Sequence, residues 1–183
     1  MMRGQTTRLL VATGGGAALV LVIVLAVAMT RDIGNDSIGR ASTSLKTAYD
    51  FALPTFEGET FVLSEHASGP VFVYFWASWC APCEREAPLI QSLWPEYQAR
   101  GYTFVGVNIW DGDADARAFI DRHSITFPTV INGDDDSTYL DYGVYAVPEA
   151  FFLLPKLEVD AKYIGELTEN AFRERLEAID VPS

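Results

Sequence analysis

The sequence predicts an α/β domain with a dithiol at the mouth of its central strand, and three observations carry that prediction. Val71-Phe72-Val73-Tyr74-Phe75-Trp76 is an uncharged run of β-branched and aromatic residues, the mark of a buried strand. After Glu84-Arg85-Glu86-Ala87, residues Leu89, Ile90, Leu93, Trp94 and Tyr97 recur at helical spacing. Between strand and helix stand Cys80 and Cys83, the two cysteines of the 183-residue chain, at the ends of a Cys-x-x-Cys. In that context the motif reads as thiol–disulfide chemistry.

Physical chemistry assigns the two sulfurs different work. Free N–H groups and the macrodipole at a helix N-terminus stabilise an anion, so Cys80 is expected to ionise readily and act as nucleophile. Cys83, one turn in, is then the resolving thiol. Pro82 falls in the first turn, where its missing N–H costs little. A structural disulfide is the plainer alternative, but so short a loop stabilises a domain of this size little. A zinc site needs four ligands, and His66 and His123, the two histidines, do not form a ligand-like pair with the cysteines.

The elements follow in order. Residues 1–30 contain an uncharged run from Leu9 to Met29, about 21 residues and about 32 Å of helix, enough to cross a bilayer core. Arg3 and Arg8 precede it, which places the N-terminus in the cytoplasm and the remainder outside. Ala26-x-Ala28 resembles a signal-peptidase site, but the run exceeds a usual signal core, so a retained single-pass anchor is expected. Residues 31–48 are rich in Ser, Thr, Gly and Asp and are expected to be a flexible tether, with the globular domain at 49–183.

Asp50-Phe51-Ala52-Leu53 and Thr60-Phe61-Val62-Leu63 flank Glu57-Gly58-Glu59 and read as a hairpin. Pro88 is expected to bend the helix that follows the dithiol. Thr103 to Ile109 reads as a second buried strand. Asp111, Asp113 and Asp115 are expected to cap the helix Ala114 to His123; as a calcium loop they fail, because Ala116 and Arg122 stand where Gly and Glu belong. Phe127 to Ile131 is a short strand, Asn132 to Asp136 an acidic turn, and Ser137 to Tyr142 a short helix stopped by Gly143. A strand after Pro148, another from Val159 to Ile164, and an amphipathic helix from Leu167 to Ile179 complete the chain.

A net charge of −12 argues against nucleic acid as a partner, because phosphate binding needs clustered Lys and Arg.

With Phe75-Trp76-Ala77-Ser78-Trp79-Cys80-Ala81-Pro82-Cys83-Glu84-Arg85-Glu86-Ala87-Pro88 at one end and Tyr142-Gly143-Val144-Tyr145-Ala146-Val147-Pro148-Glu149 at the other, residues 49 to 178 resemble the thioredoxin fold. More narrowly, the chain resembles the membrane-anchored, extracytoplasmic TlpA/ResA/DsbE (CcmG) group. The resemblance implies a central mixed sheet flanked by helices, an N-terminal β-hairpin extension, and a single transmembrane helix ahead of the domain. It implies that Pro148 is a cis-proline facing the redox pair, and that Trp79, Pro82, Val147 and Pro148 meet the substrate protein. Glu86 and Glu149 match family acids that shuttle the Cys83 proton or set thiol pKa. The implied activity is reduction of exported protein disulfides, as in cytochrome c maturation. Electrons would come from a membrane donor of the DsbD/CcdA type, and no cofactor or metal is implied. Disulfide formation and Cu(I) carriage by the two thiols are the alternatives. The peroxidase variant is disfavoured, since Val73 and Ala77 replace the Pro and Ser/Thr of its motif. Tyr74 stands where many thioredoxins carry a buried Asp.

Overall fold

The computed structural model describes residues 40–41, 43–133 and 137–180. The expected anchor, most of the tether and the acidic Asp134–Asp136 turn lie outside these residues. Among the described residues no helix is long and apolar enough to cross a membrane.

The chain folds as β1 (Arg40–Ala41), β2 (Ala52–Pro54), β3 (Thr60–Val62), β4 (Val71–Trp76), α1 (Ala81–Ala99), β5 (Thr103–Asn108), α2 (Asp113–His123), β6 (Thr129–Ile131), α3 (Thr138–Asp141), β7 (Glu149–Leu154), β8 (Glu158–Ile164) and α4 (Glu169–Ala178). The main sheet has the order β1-β8-β7-β4-β5-β6, and β2 with β3 forms the expected separate hairpin. Strands β4, β5 and β6 run parallel, whereas β7 is antiparallel to β4 and β8 is antiparallel to β7. This is the mixed sheet of a thioredoxin-like α/β fold.

All six residues of β4 are buried, as its charge-free sequence requires. Strand alternation sends Phe72, Tyr74 and Trp76 to one face and Val71, Val73 and Phe75 to the other. On the first face they meet Ile90 and Leu93 of α1, Phe119 of α2, and Phe172 and Leu176 of α4. On the second face they meet Leu53 and Phe61 of the hairpin, with Tyr142 and Val144. Helix α1 continues unbroken through Pro88 and Pro95.

Two expectations need correction. Residues 43–48 are not simply a tether. The Thr47 backbone bridges Glu158, Ala48 N–H donates to the Leu157 carbonyl at 2.8 Å, and Lys46 accepts from Val159 at 2.9 Å. With β1 pairing Arg40 to Tyr163 and Ala41 to Lys162, the domain begins near residue 40 rather than 49. Low hydrophobicity hid this, because an edge strand is held by its backbone and leaves little side-chain signature. The second correction concerns the Asp111 cluster. The N-cap of α2 is Gly112, with no side-chain capping bond, and only Asp113 and Asp115 lie in the first turn. Asp111 is engaged elsewhere.

Candidate active site

The redox turn begins where β4 ends. Cys80 is the N-cap of α1, in extended backbone conformation, with Pro82 in the first turn. The Cys83 N–H donates to Cys80 Sγ at 3.2 Å, so an unpaired helix amide faces the leading sulfur directly. Cys80 and Cys83 are joined in a disulfide. Cys83 is wholly enclosed, and Cys80 is buried with 3% of its surface exposed. Trp79, just ahead of Cys80, is 60% exposed.

Asp111 holds this turn from β5's side. Its carboxylate accepts the Ser78 N–H at 2.5 Å, the Ser78 hydroxyl at 2.7 Å and the Asn108 side-chain amide at 2.9 Å. The neighbouring Trp110 carbonyl accepts the Trp79 indole N–H at 2.9 Å. Trp110 carries φ +54°, a left-handed backbone that costs a residue with a Cβ about 1–2 kcal/mol. Sequence reasoning missed this clasp. The only available signal was the acid cluster after a strand, and helix capping explained that more simply.

Glu86, one turn beyond Cys83, is buried rather than on a helix surface. Tyr74 hydroxyl donates to one carboxylate oxygen at 2.7 Å and Leu167 N–H to the other at 2.7 Å. Burial lifts its pKa to about 7, although both hydrogen bonds pull the other way. Burial, with Glu86 beside it, pushes the Tyr74 phenol well above its usual range, so the tyrosine stays a donor. Tyr74 on the strand thus supports the buried Glu86 carboxylate of the helix.

The second motif forms the facing loop. The Val147–Pro148 bond is cis, as the resemblance implied. Register pairs Phe75 with Glu149, which brings Pro148 to the end of β4 from which the redox turn departs. Val147 packs against both core layers. Glu149 is buried too, but it shares its sheet face with Phe151, opposite the layer holding Cys83 and Tyr74. It pairs with Lys162 Nζ at 2.6 Å and accepts the Tyr145 and Ala146 N–H groups at 3.3 Å. Lys162 also donates to the Gly143 carbonyl at 2.6 Å. The structure thus joins Cys80, Cys83, Glu86 and Pro148 at one end of the sheet and sets Glu149 behind the proline loop. His123 lies 3.1 Å from Glu84 in the first turn of α1, while His66 stacks on Phe61 at 4.4 Å in the hairpin region.

Fold and site together define a thiol–disulfide oxidoreductase of thioredoxin architecture. Residues 45–162 match the AhpC/TSA family. The chain is 35% identical over 133 residues to the thiol-disulfide oxidoreductase ResA of Geobacillus thermodenitrificans, covering 73% of this chain and 76% of that protein. It is 32% identical over 162 residues to the ResA of Geobacillus kaustophilus, covering 88% and 92%. A solved structure from Chlorobium tepidum, described as a putative thiol:disulfide interchange protein DsbE, superposes with a TM-score of 0.68 at 28% identity, covering 78% of this chain and 99% of that one. The chain belongs to the AhpC/TSA family, among its ResA-like thiol-disulfide oxidoreductases.

Proposed function

We propose that this oxidoreductase works as a reductant of exported protein disulfides, with Cys80 as nucleophile and Cys83 as resolver. The observation that carries the nucleophile assignment is the Cys83 amide aimed at Cys80 Sγ from the start of α1; the reducing direction is what the likeness to the ResA relatives favours. Cys80 thiolate attacks a client disulfide, forms a mixed disulfide and expels one client thiolate. Cys83 then gives its proton to the Glu86 carboxylate and attacks Cys80 Sγ. The Cys80–Cys83 disulfide forms and the second client thiolate leaves, so two electrons pass to the client. A membrane dithiol of the DsbD/CcdA type, itself oxidised, would restore the reduced pair.

Glu86 suits the proton step because its pKa of about 7 lets it both accept and release a proton near neutrality. Glu149 serves as a positioning residue: with Lys162 it holds the loop that presents Val147 and Pro148 to an extended client segment. Trp79 and Pro82 would border the same segment. The apolar Leu9 to Met29 run supports a single-pass anchor with the domain outside the cytoplasmic membrane. Apocytochrome c haem-attachment cysteines are the client class that the resemblance favours.

The test is a Cys83→Ala protein expressed in its membrane. Disulfide-linked client adducts on Cys80, released by dithiothreitol and lost in the Cys80→Ala/Cys83→Ala protein, are the expected result. Recovery of no adducts overturns the assignment. Direction is read from the in-cell state of the pair: mainly reduced supports the reductant, and mainly oxidised makes the protein a disulfide former.

A further inference from the structure

Beside the redox turn lies a cavity of about 260 Å³ lined by Trp110, Asp111, Asn132, Gly133 and Tyr139. It is tied to the reacting centre through two links already described: Asp111 grips Ser78, and the Trp110 carbonyl receives the Trp79 indole. Ser78 is two residues from Cys80, at most about 7 Å of chain. A client segment covalently attached to Cys80 therefore has the cavity within reach of the residues flanking its cysteine.

Two features show that the walls are not incidental. Trp110 keeps a large ring on left-handed backbone, where glycine would be easier, and the residue is 43% exposed. Strain retained next to a reacting group points to a use for the side chain. The ring stands edge-on to Tyr139 at 5.3 Å, which makes an aromatic wall from two separate elements. Among the described residues no lysine, arginine or histidine lines the cavity, and the one charged group there is the Asp111 carboxylate.

We propose that this cavity is a specificity subsite for a cationic side chain, lysine or arginine, flanking the client cysteine. The aliphatic stem lies along the Trp110 and Tyr139 rings, and the charged head sits in the field of Asp111. The four hydrogen bonds that Asp111 already accepts, from Ser78, Asn108 and Gly112, fix its charge in place without consuming it. A chain of net charge −12 adds long-range attraction for such clients. The inference rests on the client-reducing reading above and names part of what that client must carry.

The experiment uses the whole reduced protein and single-cysteine peptides blocked as mixed disulfides with 2-mercaptoethanol. The residue next to the cysteine is Lys, Gln, Phe or Glu. Rates are followed by stopped-flow tryptophan fluorescence at low and high salt, with 2-hydroxyethyl disulfide as an uncharged reference. We expect the Lys peptide to react roughly tenfold faster than the Glu peptide at low salt, narrowing as salt rises. The Lys-to-Glu ratio should fall to about twofold in Trp110→Gly and in Tyr139→Ala, each ratio being internal to its variant. Trp110→Gly is expected to fold, because glycine relieves the left-handed position. An unchanged ratio in both variants, or a Phe peptide faster than the Lys peptide, overturns the subsite. Failure of the wild-type protein to react with 2-hydroxyethyl disulfide would instead overturn the redox reading on which the subsite stands.

Discussion

Two buried carboxylates set the residue scale, and they behave oppositely. Among the described residues Glu86 makes no ion pair, and burial raises its pKa to about 7 from the ordinary 4.5. Between those values the folded chain binds the proton more tightly than the unfolded one, so stability falls as pH rises. The full loss above pH 7 is about 3 kcal/mol. Glu86→Gln imitates the protonated acid, its oxygen taking the Leu167 N–H and its amide facing the Tyr74 oxygen. Urea midpoints should therefore decline from pH 4.5 to 7.5 in the wild type and stay nearly level in the variant. Glu149 is balanced by Lys162, with 3% and 9% of their side chains exposed. Lys162→Met leaves a buried charge alone and should cost about 3–5 kcal/mol, whereas Glu149→Gln/Lys162→Met should recover much of that loss by the same measurement. Neither role could be read from the residue type. Glu86 and Glu149 were found as motif acids, but which one had a cation depended on a lysine on the neighbouring strand.

At the scale of elements, the sequence was most informative where burial is complete. The β4 run, the α1 repeat and the Pro148 motif each specify one structure, because a charge-free strand and a capped helix have few alternative placements. Asp111 escapes the sequence pattern for the opposite reason: short acidic segments suit caps, turns and ions equally, and only the tertiary meeting of β5 with the redox turn decides. The close approach of β5 to β4 and β6 also explains Gly106. A Cβ there would lie 2.9 Å from Trp76 Nε1 and 2.9 Å from Thr129 Cγ2. Gly106→Ala should cost about 1–3 kcal/mol and lower the thermal midpoint. Thr168 caps α4 by accepting the Ala171 N–H at 3.3 Å, so Thr168→Ala should cost about 1 kcal/mol.

Across the described domain, the six-stranded sheet separates two apolar layers, and the chemistry gathers at the end where β4 stops. The segment 43–48, with β1, covers the outer edge of β8. A chain cut to begin at Tyr49 would bare that edge, and open strand edges pair with other chains. Sedimentation should show more self-association for the chain starting at Tyr49 than for one starting at Gly39; equal behaviour would mean that the covering has no protective role. The same covering has a mechanical side. Ala41 is registered against Lys162, the residue that grips both Glu149 and the Gly143 carbonyl behind the proline loop. Tension along residues 40–48 would therefore load β8 at the residue that braces the backbone just ahead of Pro148, so that pulling on the edge segment is felt at the cis-proline loop.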